Sequence, residues 1–121
     1  MKLKEINECM NQAKRDVGDA LLASVISNIE NGTALVKHNC DEKLGAYSAQ
    51  TITFLKDVVQ NDNQKLGRYM FAEVNDHVTA VFIIMGEYVW NITFDHTKMP
   101  LGMLVNVYLD DLIESFKNAA A

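Results

Sequence analysis

Val78-Thr-Ala-Val-Phe-Ile-Ile-Met-Gly-Glu-Tyr-Val-Trp-Asn-Ile-Thr-Phe94 is the stretch that decides the fold. Its first half, Val78 to Met85, is almost wholly apolar. Such a run has no solvent side, so it belongs inside a sheet with cover above and below. Gly86-Glu87 interrupts it, and glycine at the first central position fits a type II′ hairpin. From Tyr88 the pattern alternates. Tyr88, Trp90, Ile92 and Phe94 share one face, and Val89, Asn91 and Thr93 share the other. This is the period of a half-buried strand. After Pro100, which fits the first turn of a helix, the period changes again. Leu101, Leu104, Val105, Tyr108, Leu112, Ile113 and Phe116 fall at helical steps.

Upstream, Leu3, Ile6, Met10, Ala13 and Val17 form a narrow helical stripe that stops near Gly18. Asp19 to Ile29 reads as a strand with Leu21, Ala23, Val25 and Ile29 on one side. Asn31-Gly32 predicts a tight type I′ hairpin, and Thr33 to His38 is its return strand, at a sheet edge. Asp41 is placed to cap a helix running from about Glu42 to Val59. That helix carries a broad apolar surface that includes Leu44, Tyr47, Ile52, Phe54, Leu55, Val58 and Val59. Gly45, Ala46, Ser48 and Ala49 make its first half thin. Small residues permit close approach of another backbone, and burial in the monomer and contact with a partner account for them equally well. Leu66 to Val74 is a third strand, with Arg68, Met70, Ala72 and Val74 on one face and Tyr69, Phe71 and Glu73 on the other. It is apolar on both faces, which at a sheet edge is an aggregation hazard unless something covers it. The order α-β-β-α-β-β-β-α, with mostly tight strand connections, predicts an antiparallel sheet with helices on both faces, an α+β domain.

At 121 residues the chain, 1–121, has the length of a single domain. Its residues are 49 % hydrophobic, enough for a core without staples, and a net charge of −5 argues against nonspecific nucleic-acid binding. There is no polybasic patch and no run of the roughly 18 apolar residues that a membrane span needs. No signal peptide precedes the first helix, so a cytoplasmic location is expected. Cys9 and Cys40 make no disulfide framework and are expected as reduced thiols. Asn31-Gly-Thr33 and Asn91-Ile-Thr93 match the glycosylation sequon, which has no meaning without secretion.

Chemistry is sparse. His38 and Cys40 are two residues apart, but a metal site needs three or four converging ligands. Asp95-His96 could be an oriented base, but no nucleophile stands beside it in sequence. Asp110, Asp111 and Glu114 read as a solvated helix face. Neither a Walker pattern nor GxGxxG occurs. No cofactor, metal or catalytic residue is expected.

Met85-Gly-Glu-Tyr-Val-Trp-Asn-Ile-Thr-Phe94, followed by Met99-Pro-Leu-Gly102 and an apolar helix, resembles the roadblock (dynein light chain) family. Leu101-Gly102 stands where that family has a Leu-Gly at the start of its final helix. Pro100 stands where the family often has an Asn cap, and Asn31-Gly32 where it usually has Asp-Gly. The resemblance covers essentially the whole chain. It implies a five-stranded antiparallel sheet, with the first and last helices on one face and the middle helix on the other, the profilin-like arrangement. It also implies a homodimer in which third strands pair edge to edge and middle helices pack together. Leu44, Tyr47, Thr51, Phe54, Tyr69 and Phe71 would then be the interface. Family members bind small Ras-like GTPases or serve as subunits of motor and signalling complexes. Bacterial and archaeal members often accompany a small GTPase and can stimulate its hydrolysis. A member would do so by positioning the GTPase's own switch loops, since only Arg15 and Arg68 are available here and neither sits in a motif. Two alternatives stand beside this platform: a small-ligand sensor resembling PAS or GAF domains, which needs a pocket between sheet and helix, and a structural subunit of a larger assembly.

Overall fold

The computed structural model describes residues 2–121. Helix α1 (Leu3–Val17) runs into a 3₁₀ turn at Gly18–Ala20 and strand β1 (Leu21–Asn28). Then come β2 (Ala34–His38), α2 (Glu42–Asn61), β3 (Tyr69–Glu73), β4 (Val78–Met85) and β5 (Tyr88–Asp95). The last helix is continuous but mixed. It opens with α3 (Leu101–Met103), passes through a π-helical segment (Leu104–Leu109) and ends as α4 (Asp110–Ala120). The five strands form one antiparallel sheet in the order β2-β1-β5-β4-β3. This is the expected α+β layering: α1 and the last helix cover one face of the sheet, and α2 lies on the other.

The β4–β5 hairpin forms as its sequence requires. Met85 pairs with Tyr88, and Gly86 takes a φ of 58° between them. β4 is buried from Val78 to Ile83. β5 differs from the half-buried expectation. Val89 and Asn91 are as enclosed as Trp90, Ile92 and Phe94, because β5 lies third in the sheet and has a helix layer on either side.

The main core fills the face under α1 and the last helix. Trp90, Ile92, Phe94, Phe116 and Ile6 are fully buried there, and the rings of Trp90 and Phe116 meet edge to face at 5.5 Å. Each such side chain contributes roughly 1.5–3 kcal/mol by leaving water. Trp90 Nε1 donates to Ser24 Oγ at 2.9 Å, and Ser24 Oγ donates to the Asn91 carbonyl at 2.8 Å, so the indole is satisfied without solvent.

Four local expectations are corrected. Leu3 is 59 % exposed, and Cys9, at 2 %, takes its place in the buried stripe of α1. A bulge between Leu21 and Ala23 turns Leu21 to the main core, away from the face of Val25. Asn31-Gly32 does not form a type I′ turn, since only Gly32 has positive φ (75°). The Asn28 carboxamide oxygen accepts from the Glu30 and Asn31 amides at 2.9 and 3.1 Å, which winds residues 29–32 into a wider loop. Finally, Leu109 is 1 % exposed although the helical spacing passes it over for Tyr108. The π segment takes in an extra residue, which carries Leu109 round beneath Leu104.

Candidate interaction surface

Asp41 caps α2 by accepting from the Lys43 amide at 2.8 Å. The first half of the helix lies on the sheet through Gly45, Ser48, Ala49 and Ile52. The approach is close because Gly45 has no side chain: a Cβ there would sit 3.2 Å from Ser27 Cβ and 3.3 Å from Val25 Cγ2. Hydrogen bonds seal the contact. Ser27 Oγ donates to the Gly45 carbonyl at 3.0 Å, Asn91 Nδ2 to Ser48 Oγ at 3.1 Å, and Thr93 Oγ1 to Asn91 Oδ1 at 2.7 Å. Gly45, Ser48 and Ala49 thus belong to the seat of α2 on the chain's own sheet, while half-buried Ala46 flanks it.

Beyond Ile52 no residue of α2 is fully buried: Leu55, Lys56 and Val59 are half-buried and the rest are exposed. The outer side of α2 carries Tyr47, Phe54 and Val58, which are 59 %, 67 % and 47 % exposed. With half-buried Leu44 and exposed Thr51, these residues are spaced alternately three and four apart. That is the a/d seam by which one helix packs along another. At about 100° per residue it lies roughly 130° around the helix from the buried stripe.

β3 is an edge strand with β4 as its one neighbour. Tyr69 is half-buried, Phe71 is 36 % exposed, and their rings are 5.3 Å apart. Val74, just past the strand, is 60 % exposed. On the side facing α2, Met70, Ala72 and Ile84 are only partly covered. The other edge is better guarded: Leu35 and Val36 of β2 pack against the main core, and Lys37 is exposed. Of the six residues expected at an interface, Tyr47, Thr51, Phe54 and Phe71 are exposed, while Leu44 and Tyr69 are half-buried. Val58 and Val74 were not among them, although Val58 follows Phe54 by one more step of four.

The titratable groups do not assemble a reaction centre. Asp95 does not orient His96. Its carboxylate accepts from the Thr97 amide at 2.9 Å and the Thr97 hydroxyl at 2.6 Å, and these bonds hold its pKa below the usual carboxylate value. His96 Nε2 donates to the Asp76 carbonyl at 2.8 Å, so by assignment Nδ1 is bare and accepts from Thr79 Oγ1 at 2.8 Å. The ring pins the β3–β4 turn to the loop after β5. His38 titrates below its usual value because it is partly buried, with Lys14 adding to the effect. Cys40 Sγ lies against the Ser24 carbonyl at 3.4 Å. Asp110, Asp111 and Glu114 are exposed. Among the described residues no three His, Cys, Asp or Glu side chains converge as metal ligands, and no helix is long and apolar enough to cross a membrane.

A sensor needs polar groups aimed into an enclosed pocket between sheet and helix. Among the described residues every buried side-chain nitrogen and oxygen already has a protein partner. The Asn91, Ser48 and Ser27 side chains that could have lined such a pocket are spent on the seat of α2.

No family model matches the chain in sequence, and none of the curated proteins does. Solved structures match it in shape over nearly its whole length. MglB of Myxococcus xanthus superposes with a TM-score of 0.82 at 16 % identity, covering 96 % of this chain and 87 % of that one. The chain has the roadblock fold. An MglB solved in a tetrameric arrangement gives 0.78 at 12 % identity, over 98 % of this chain and 89 % of that one. A Roadblock/LC7 domain from Streptomyces avermitilis gives 0.72 at 12 % identity, over 93 % and 95 %. At these identities the likeness is one of fold.

Proposed function

We propose that this protein is a non-catalytic platform that pairs with a second copy of itself through α2 and β3 and, as a pair, docks a small Ras-like GTPase. The observation that carries the first part is the exposed seam of Tyr47, Thr51, Phe54 and Val58 on the outer side of α2, together with an edge strand bearing Tyr69 and Phe71. A seam helix and an unpaired edge each ask for the same element of another molecule, and a two-fold axis satisfies both at once. Leu44 would close the seam at its start.

The second part rests on the roadblock resemblance together with the shared fold. Within it, the contribution to GTP hydrolysis is positional. Arg15 is engaged by Glu8 at 3.1 Å, and the Arg68 guanidinium lies 5.8 Å from the centre of the Tyr69 ring. Neither is presented as a free finger, so any stimulation comes from ordering the GTPase's switch loops.

The test is the native mass of the protein gently isolated from its own cells, with co-isolated proteins identified. A mass of twice the chain, or that plus a small GTPase, is expected. A Phe71→Asp variant with unaltered native mass counts against the pairing. A faithful dimer that leaves GTP turnover of its co-isolated GTPase unchanged replaces the regulator with a purely structural subunit.

A further inference from the structure

The outer seam of α2 has two flanks. Ser48 and Leu55 stand on the flank nearer the sheet, one buried and one half-buried. Lys43, Gln50 and Asp57 stand on the other, one heptad apart and all exposed. At about 100° per residue these three lie roughly 140–180° round the helix from Ile52, on its solvent side. Among the described residues neither Lys43 nor Asp57 forms an ion pair.

Both charges stand at the wrong end of their own helix. Lys43 is a cation in the first turn of α2, where the helix dipole favours anions. Asp57 is an anion near the last turn, which holds no cation. Within one chain both placements weaken the helix slightly. Beside a second α2 running the other way, each charge lies near the end of the partner helix that suits it.

We propose that Lys43 and Asp57 make the seam select its own copy: each pairs with the other residue of an antiparallel partner, and the two contacts fix the register. Charges on the flanks of a seam set partner and orientation. Run parallel, the outer flank of one helix meets the sheet-side flank of the other. Asp57 would then face the partner's Asp62, and Lys43 would face the partner's Ser48, which is buried in its own seat. Run antiparallel, outer flank meets outer flank. With Leu44 against the partner's Phe54 and Tyr47 against the partner's Thr51, Lys43 faces the partner's Asp57 and Gln50 meets its own copy at the axis. Glutamine suits that place because its amide both donates and accepts. Thr51 suits the contact because its hydroxyl is already donated to the Tyr47 carbonyl at 2.8 Å. Val58 then lies against the start of the partner helix. Slid by one heptad, the antiparallel pair sets Asp57 against the partner's Gln50 and leaves Lys43 unmatched. Only the first antiparallel register satisfies both charges, and the two-fold axis makes each contact twice. The inference deepens the pairing proposed above and rests on it. It names a second copy of this chain as the preferred partner, because a related chain without both charges at these places loses the contacts.

The test reads pair dissociation by sedimentation at low ionic strength and pair composition by native mass spectrometry, with one chain ¹⁵N-labelled so that mixed pairs have a mass of their own. Lys43→Glu alone and Asp57→Lys alone each set like charges together twice. Each is expected to pair about tenfold more weakly than the native chain, the loss shrinking as salt is added. Both changes suit the dipole of α2, so a weaker pair is not a weaker fold. Mixed one to one, the two single variants restore both contacts, and mixed pairs should exceed the proportion that chance gives. A chain carrying both changes should pair with itself as the native chain does and avoid the native chain. Single variants that pair as tightly as native, a mixture at the chance proportion, or a double variant that exchanges freely with the native chain overturns the inference. If the native mass is nevertheless twice the chain, the platform's pairing stands in another register. A native chain that stays single at every concentration removes the pairing and the inference together.

Discussion

The two faces of the sheet are covered by different physics. Under α1 and the last helix the contact is thick and apolar, made of Trp90, Ile92, Phe94, Leu112 and Phe116. Under α2 it is thinner and partly polar, with Gly45, Ser48 and Ala49 against Ser27 and Asn91 beside a smaller apolar cluster of Ile52, Ile29, Phe82 and Val89. The first face gains stability by volume removed from water. The second gains it by close approach and satisfied hydrogen bonds around a smaller apolar cluster at Ile52, and several large side chains of α2 stay outside. What is missing under α2, Tyr47, Phe54 and Val58, stands on its outer side. A thick face closes the fold, whereas a thin one leaves apolar surface over for something else.

The sharpest test of the thick face is Trp90→Ala. It deletes the largest fully buried side chain and leaves Ser24 Oγ without its indole donor. A cost of about 3–5 kcal/mol is expected in denaturant unfolding. A loss under about 1 kcal/mol would mean that this face is not where the fold is secured.

Cys9 probes the same face by pH. Burial, with Glu8 adding to it, raises the thiol from an ordinary 9.0 to about 11. The folded state therefore holds the proton more tightly than the unfolded one. The sign follows: this stability is present in full below pH 9 and is lost as pH rises from 9 towards 11. The loss is on the order of 2 kcal/mol, and a Cys9→Ala variant should lack that part of the alkaline fall. In native protein at pH 8, iodoacetamide should modify half-exposed Cys40 well before Cys9. Equal rates would show that the thick face opens readily.

Gly45→Ala tests the thin face. Elsewhere in a helix that change gains up to about 1 kcal/mol in propensity. Here the new methyl meets Cβ atoms of Ser27 and Ala34 at 3.2 and 3.4 Å, and those are fixed to strands that cannot yield alone. A net loss of about 1–2 kcal/mol is expected. Gly102→Ala in the last helix, with nothing within 4 Å, is the control and should be neutral or slightly stabilising. A stabilising Gly45→Ala would show that α2 floats above the sheet.

The contrast between the faces was half legible in the sequence. Val78–Met85 announced a strand covered on both sides because an unbroken apolar run has no other home. Asn91 announced the opposite for its face of β5. A polar residue in an alternating pattern reads as solvent-facing, and only its partner Ser48, on another element, shows that it is buried. Gly45 and Ala49 told of close approach without telling to what. Leu21 and Leu109 were misplaced by a bulge and a π turn, each of which shifts the phase by one residue while leaving composition untouched. Tyr47, Phe54 and Phe71 were legible as apolar residues in excess of what one side of an element could bury, and the structure leaves them exposed.

The smallest expected effect on stability is the one most telling for function. Phe54→Asp and Val58→Asp alter side chains that are 67 % and 47 % exposed on a stretch of α2 with no buried residue. Each should change unfolding free energy, measured on dilute protein where self-association is absent, by no more than about 0.5 kcal/mol. If the outer seam joins two copies, the same changes place carboxylates in an apolar contact, and the native mass should fall from that of a pair to that of a single chain. A variant that keeps both its stability and its paired mass would leave the seam merely exposed. A variant that loses stability at dilution would show that the second half of α2 is held by the chain itself, and the apolar surplus beside the thin face would have to be sought elsewhere.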